Sequence, residues 1–359
     1  MRNHYLLPVV VAVLVLFLGA CGAQESSSPP EQGSNVQNEG GGAEQNEETI
    51  ELSYAFFAPA NTFPAVQMEI WKEEVEKRTN GKVKVNLFPG GTLLQADNMY
   101  EGVKNGIADI GLSSTTYEPG KYPLLSISDM PAGYKNATVA SKVVYELIKE
   151  FPPEAFQDFK IITAFATEPA YIQSKTKIAS LEDLKGKQLR SAGDTLEILE
   201  RLGAAPVGMS QSEVPEALQT GIIEGYVSSR EILKDLKLAE MVKYQTDYPL
   251  TIYTFVAVMT KEKWESLPAD VQRVIDELSE EMMLFTGDYL DRHVQEALAW
   301  AQNEHGFEIV FLSDEEKQKW DQIINQMRHE RVEKLKQEGY PAEAYLAKLN
   351  ELVEKYNNE

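Results

Sequence analysis

The chain of 359 residues holds a single cysteine, Cys21, so no disulfide can close within it. Its four histidines, His4, His293, His305 and His329, show no paired ligand spacing. This argues against a zinc or iron site built on histidine and cysteine, and against cysteine–histidine nucleophilic catalysis. G-x-S-x-G, G-x-G-x-x-G and the Walker glycine loop with its lysine are all missing, which removes the usual serine-hydrolase and nucleotide signatures. Basic side chains are the scarcer sign: 34 Lys and Arg against 56 Asp and Glu give a net charge of −22. Such a balance disfavours nucleic acid and a broad grip on anionic lipid. It leaves room for an anionic small ligand held by one basic residue in a cleft. Beyond Leu18 no apolar run approaches membrane-spanning length.

What is present begins with an unbroken apolar run from Leu6 to Leu18, preceded by Arg2 and His4 and followed by Gly19-Ala20-Cys21. As a helix this run rises only about 20 Å, too short for a hydrocarbon core of about 30 Å, and it reads as an export signal. Leu18-Gly19-Ala20-Cys21 also resembles the lipobox of bacterial lipoproteins. That resemblance implies cleavage before Cys21 and attachment of lipid, palmitate included, to its sulfur. The protein would then sit outside the cytoplasm, anchored to the outer face of the cell membrane only through that lipid. From Gly22 to Glu48 the chain is rich in Gly, Ser, Pro, Gln, Asn and Glu and holds no basic residue. It cannot bury enough surface to fold and is expected to act as a flexible acidic tether.

The remaining body, from Ile50 onward, exceeds the size at which one hydrophobic core usually stops growing, so two lobes are expected. Glu51–Phe56 alternates as a strand; Phe63, Val66, Ile70, Trp71 and Val75 recur at helical spacing; Val83, Val85 and Leu87 alternate again. Met99, Val103 and Ile107 predict a helix leading into a strand at Ile107–Leu112. This rhythm predicts an α/β layer. Further strands are expected at Ile161–Phe165, Lys187–Arg190, Ile222–Val227, Ile252–Met259 and Phe307–Leu312, and helices over 141–150 and beyond Pro341. Capping boxes are expected at Ser180 with Asp183 and at Ser210 with Glu213, and Ser313 with Glu316 marks another helix start. Val271, Val274, Leu278, Met282, Phe285 and Tyr289 predict one long helix reaching Ala301. Asp109, Asp129, Glu168 and Glu224 lie near predicted strand ends, but acids are too abundant here to make a case for a hydrolase.

Three stretches carry a specific resemblance. They are Gly81-Lys-Val-Lys-Val-Asn-Leu-Phe-Pro-Gly-Gly91 with Met99-Tyr-Glu-Gly-Val-Lys-Asn-Gly-Ile-Ala-Asp-Ile-Gly111, then Leu181-Glu-Asp-Leu-Lys-Gly-Lys-Gln-Leu-Arg190, then the run from Gly203 to Gly225. In order and spacing the chain resembles the DctP-like extracytoplasmic solute receptors of tripartite ATP-independent periplasmic (TRAP) transporters. The resemblance implies a two-lobed, periplasmic-binding-protein-like α/β fold with crossing segments and a long connecting helix. Residues 50–166 and 255–293 would form one lobe, 167–254 and 294–335 the other, and 336–359 a C-terminal helical extension. Residues 1–20 would be the signal and 21–49 the tether.

By the same resemblance the protein is expected to bind a small organic acid, to dock on the TRAP membrane permease subunits, and to act as a monomer, a dimer being left open. No catalysis, cofactor, metal or nucleic acid is expected. A sensing module of the same fold and, more remotely, an exported carboxylate-dependent hydrolase are the alternatives. Arg190 falls on the family arginine that grips the ligand carboxylate; its guanidinium is always charged and offers a fork matching two oxygens. Many relatives carry a second arginine where this chain has Thr167-Glu168-Pro169-Ala170-Tyr171, and an asparagine where it has Glu224-Gly225-Tyr226-Val227-Ser228. The departures suggest a more aromatic site suited to a monocarboxylate or partly apolar acid. Phe57, Asn61, Tyr117, Tyr171, Tyr226, Ser228 and Phe255 are the further expected wall residues, with Phe56 and Thr115 beside them. At most one of Phe56 and Phe57 should face the cleft if the strand runs through both.

Overall fold

The computed structural model describes residues 49–359. Cys21, the leader and the tether lie outside the described residues. A five-stranded sheet has the order β2-β1-β3-β10-β4. Its strands are β1 (Ile50–Phe56), β2 (Val83–Phe88), β3 (Ile110–Ser114), β4 (Phe159–Ala166) and β10 (Thr254–Thr260). β1 pairs in parallel with β2 and β3, and β10 runs antiparallel between β3 and β4. The second sheet, of six strands, has the order β11-β9-β5-β8-β6-β7. It comprises β5 (Tyr171–Ser174), β6 (Gln188–Ser191), β7 (Ala205–Gly208), β8 (Gly225–Ser228), β9 (Tyr244–Thr246) and β11 (Glu308–Val310). Here β6 is parallel to both β7 and β8, and β5 is antiparallel to β8. Gly225 has no room for a side chain, because a Cβ would lie 2.5 Å from the Gln173 carbonyl oxygen on β5.

Twelve helices surround the sheets among the described residues: α1 (Phe63–Arg78), α2 (Met99–Lys104), α3 (Leu125–Ser128), α4 (Ala137–Glu150), α5 (Leu181–Leu184), α6 (Thr195–Arg201), α7 (Val214–Thr220), α8 (Ile232–Asp235), α9 (Lys261–Ser266), α10 (Ala269–His305), α11 (Asp314–Gln337) and α12 (Ala342–Asn357). The expected long helix is α10, of 37 residues and so about 55 Å. Val271, Ile275, Leu278, Met282, Leu290, Val294, Ala297 and Ala301 bury one stripe of it. It packs on α1, α4, β4 and α8. Gly287 lets it close on α4, since a Cβ there would stand 2.7 Å from Thr138 Cα.

The chain passes between the sheets after β4 and returns before β10. These two crossings are laced together: Thr167 N–H donates to the Tyr253 carbonyl at 3.0 Å, and Ala170 and Thr251 form an antiparallel bridge. Arg331 on α11 adds a further tie, donating to Asp194 and Glu197 on and before α6 and to the Ser126 carbonyl on α3. The larger apolar cluster includes Trp71 and Val258 around the first sheet and Ile172, Leu189 and Trp320 around the second. A smaller one gathers Val214, Leu218, Tyr226, Leu233, Ala301 and Phe307.

Several expected boundaries move. Ile107 and Ile222 are not strand residues; each is 54% exposed and follows a helix-ending glycine at positive φ. Ile107 N–H instead donates to the Gly102 carbonyl, a helix-terminating bond of the Schellman kind. Ser210 and Glu213 form a full reciprocal capping box. At Ser180 the serine caps Asp183 N–H while the Asp183 carboxylate turns to Ala179 N–H and the Ser180 hydroxyl.

Candidate functional site

A cleft lies where the two sheets face each other, lined from the first side by Phe56, Phe57, Phe63, Ser114, Tyr117 and Phe255 and from the second by Arg190, Gln211, Ser228, Ser229 and Glu231. Phe56, Ser114 and Ser228 are the last residues of β1, β3 and β8, and Arg190 is the next to last of β6. The cavity thus sits off the carboxyl ends of parallel strands, where open α/β sheets leave a crevice.

Arg190 is held by pairing of β6 with β8 opposite Tyr226 and with β7 opposite Val207. It is only 1% exposed. Nε and Nη2 donate to the Met209 carbonyl at 3.0 and 2.7 Å, Nη1 to Gln211 Oε1 at 2.7 Å, and Nη2 to Tyr117 Oη at 3.1 Å. All four bonds go to neutral oxygens. Burying a guanidinium among neutral acceptors is expensive unless a counter-charge completes the site. The Tyr117 hydroxyl also accepts from Gln211 N–H at 3.0 Å, and its ring meets Phe57 edge-on at 5.0 Å, so one tyrosine spans the two sides.

The expected wall residues divide. Arg190, Phe57, Tyr117, Ser228 and Phe255 come together around the cavity, and Phe56 with them. β1 stops at Phe56 and Phe57 lies in a bend, which is why both rings reach the same space. Tyr226, Tyr171 and Asn61 are not in its wall. Tyr226 is fully buried in the smaller cluster, its hydroxyl donating to Gln173 Oε1 at 2.7 Å. Tyr171 lies under the Arg230 guanidinium, 5.0 Å from ring centre to Cζ. Asn61 donates to the Asp235 carbonyl at 2.6 Å, joining the β1–α1 loop to α8. Thr115 gives way to its neighbour Thr116; its own hydroxyl donates to the Thr254 carbonyl.

Sequence reading missed Gln211, Ser229 and Glu231. Glu231 is 2% exposed, with Oε1 accepting from Ser229 Oγ at 2.8 Å. Burial pushes its carboxyl up to about 8, against the pull of the Ser229 bond and with the nearby Asp235 charge adding to the rise. Next to it, Arg230 donates from Nε and Nη2 to Glu168 at 2.9 and 2.6 Å, and its backbone N–H joins at 2.8 Å. Glu168 thus stands in the crossing segment as the partner of Arg230. The other acids near strand ends are paired as well: Asp109 with Lys263 and Ser53, and Glu224 with Lys187. Among the described residues no group of three or more His, Cys, Asp and Glu is arranged to hold a metal ion.

A neighbouring cleft is lined by Glu118, Asp129, Asp194, Thr195 and Arg331, among others. Burial raises the Asp129 carboxyl to about 8, although Thr254 Oγ1 donates to its Oδ1 at 2.7 Å. The folded state therefore keeps this proton up to about pH 8, whereas the unfolded chain releases it near 4. Its contribution to stability is intact in acid and is lost as pH rises between those values. Asp129→Asn should match the parent near pH 4 and exceed it increasingly as pH rises, by about 1.4 kcal/mol per unit and so about 5 kcal/mol at pH 8; equal melting temperatures at pH 8 would show that the carboxyl ionises freely.

Three comparisons place the chain among known proteins. A family model described as DctP, bacterial extracellular solute-binding protein, family 7, matches residues 54–335. A solute-binding protein of Albidiferax ferrireducens is 26% identical over 260 residues, 70% of this chain and 75% of that one. Among solved structures, a TRAP periplasmic solute-binding protein from Desulfovibrio salexigens is 44% identical, with TM-score 0.76, covering 86% of this chain and 96% of its own. A marine metagenome TRAP solute-binding protein described as specific for aromatic acid ligands, in complex with 3-hydroxybenzoate, is 26% identical with TM-score 0.81, covering 86% and 99%. These likenesses fix the fold as the two-lobed one of TRAP solute-binding proteins, with α10 as its long helix.

Proposed function

The chain belongs to the family-7 bacterial extracellular solute-binding proteins, and from that membership we propose a receptor that closes its lobes on a small organic acid and presents it to a TRAP-type permease. The observation that carries the ligand class is Arg190: a buried guanidinium bonded only to neutral oxygens, in a cavity with four phenylalanines in its wall. A carboxylate supplies the absent negative charge, and the rings suit an apolar or aromatic body. The relative that binds 3-hydroxybenzoate is consistent with such a solute. In this reading residues 50–166 and 255–293 form one lobe, 167–254 and 294–335 the other, and 336–359 an extension. The receptor works without turnover.

Thermal unfolding of the full chain with a panel of aromatic, hydroxy and lactam acids tests the reading. A ligand at a hundred times its Kd adds about 2.7 kcal/mol to the folded state, a rise of several degrees. A panel in which no acid moves the transition would remove the carboxylate assignment.

We retain Cys21 as the lipid attachment site, on the strength of Leu18-Gly19-Ala20-Cys21 and the acidic run behind it. Cys21→Ser should move the protein from the membrane fraction to the soluble fraction and abolish palmitate labelling. Labelling that persists in the variant would place the anchor elsewhere.

A further inference from the structure

Two buried polar atoms of the cavity wall have no hydrogen-bond partner among the described residues: Gln211 Nε2 and Glu231 Oε2. They differ in kind. Gln211 Nε2 is a donor, and its own amide oxygen is already bonded to Arg190, so it extends the donor set that a carboxylate would meet. Glu231 brings the reverse chemistry. It is only 2% exposed, its Oε1 is occupied by Ser229, and its Oε2 is left over although the wall also carries serine and threonine hydroxyls.

Buried polar groups are almost always paired in a completed site, and a carboxyl oxygen left over in a binding cavity calls for a donor from the occupant. Arg230 does not supply one: its guanidinium donates to Glu168 through two bonds and makes none to Glu231. Nor does Asp235, one helical turn on, which is itself an acid engaged by His293 at 2.6 Å.

Resting on the carboxylate reading of Arg190, we infer that the solute is an organic acid carrying a second polar group, a hydroxyl or an N–H, that donates to Glu231 Oε2. Plain monocarboxylates without such a donor fill the aromatic part of the cavity but leave Glu231 unpaired. The raised carboxyl of Glu231 fits this assignment: a hydroxyl both donates and accepts and so satisfies the acid in either protonation state.

The test uses matched pairs on the full chain by calorimetry: 3-hydroxybenzoate against benzoate, mandelate against phenylacetate, and pyroglutamate against cyclopentanecarboxylate. The donor-bearing member of at least one pair should bind tenfold tighter or more. In Glu231→Met that gap should collapse while the donor-free acid keeps its affinity; Glu231→Gln, which keeps an acceptor oxygen, should retain part of it. Unchanged or higher melting temperatures in both variants show that they are folded. Equal affinities within every pair, or a gap that survives Glu231→Met, overturns the inference while leaving the carboxylate reading standing. If no acid binds the parent at all, that reading falls and this one with it.

Discussion

Replacing Arg190 with methionine is expected to weaken binding of the carboxylate ligand by about 2–4 kcal/mol, roughly thirtyfold to a thousandfold in Kd. The lower part of the range for a buried charge pair is the appropriate one, because the guanidinium already makes four hydrogen bonds within the protein. An incoming carboxylate must take the places of Gln211 Oε1 and Tyr117 Oη, while the two bonds to the Met209 carbonyl hold the fork from its far side. The gain is the difference between charge-assisted and neutral hydrogen bonds, the former being about twice as strong. Stability should move little: methionine removes an unneutralised buried charge but leaves three neutral oxygens short of a donor. Arg190→Lys keeps the charge without the fork and should fall between. Calorimetry and melting curves on the same samples check both halves. Full affinity in Arg190→Met would end its role as the clamp.

Glu168→Ala should be the most damaging single change to the fold near the site, costing about 3–5 kcal/mol. Glu168 is 4% exposed and accepts three bonds from one residue, two from the Arg230 guanidinium and one from its backbone N–H. Truncation leaves a largely buried cation, 17% exposed in its side chain, without a bonded counter-charge, beside the Tyr171 ring and with Asp247 as the remaining nearby acid. It also frees the loop that carries Ser229 and Glu231 from the crossing segment, so ligand affinity should drop along with the urea midpoint. The double variant Glu168→Leu with Arg230→Met should recover much of the stability, since no charge is then stranded. A single variant that melts with the parent would show that water, not Glu168, satisfies Arg230.

Long elements with a clear period were legible in the residues: β1, β2, α1 and above all α10, whose buried stripe repeats from Val271 to Ala301 over about eight turns. Of the short strands, β6, β8 and β11 were anticipated and three others were not. β5, β7 and β9 have only three or four residues, too few for alternation to register, and they exist because neighbouring strands pair with them. Apolar residues after helix-ending glycines were misleading for a different reason, as Ile107 and Ile222 stand more than half exposed at a turn instead of entering a sheet. At the site, Arg190 stood out through the resemblance and the phenylalanines through their bulk. Tyr226 misled because a tyrosine on a strand is as well served by a buried amide, here Gln173, as by a solute. Glu231 was hidden in Ser228-Ser229-Arg230-Glu231, which reads as an ordinary polar loop. The signal that could have found it is positional: it follows within three residues the carboxyl end of a parallel strand.

The lacing of Thr167 to Tyr253 and of Ala170 to Thr251 has a mechanical consequence. Two backbone ribbons sewn to each other cannot slide independently, and α10 beside them is a stiff rod, so the halves are left with little more than a single swing about one axis. Displacement under such a swing grows with distance from the pivot. In the proposed receptor, a small acid held close to the axis would therefore produce its largest movement at the outer rims, where a membrane partner could distinguish a loaded molecule from an empty one without touching the cargo.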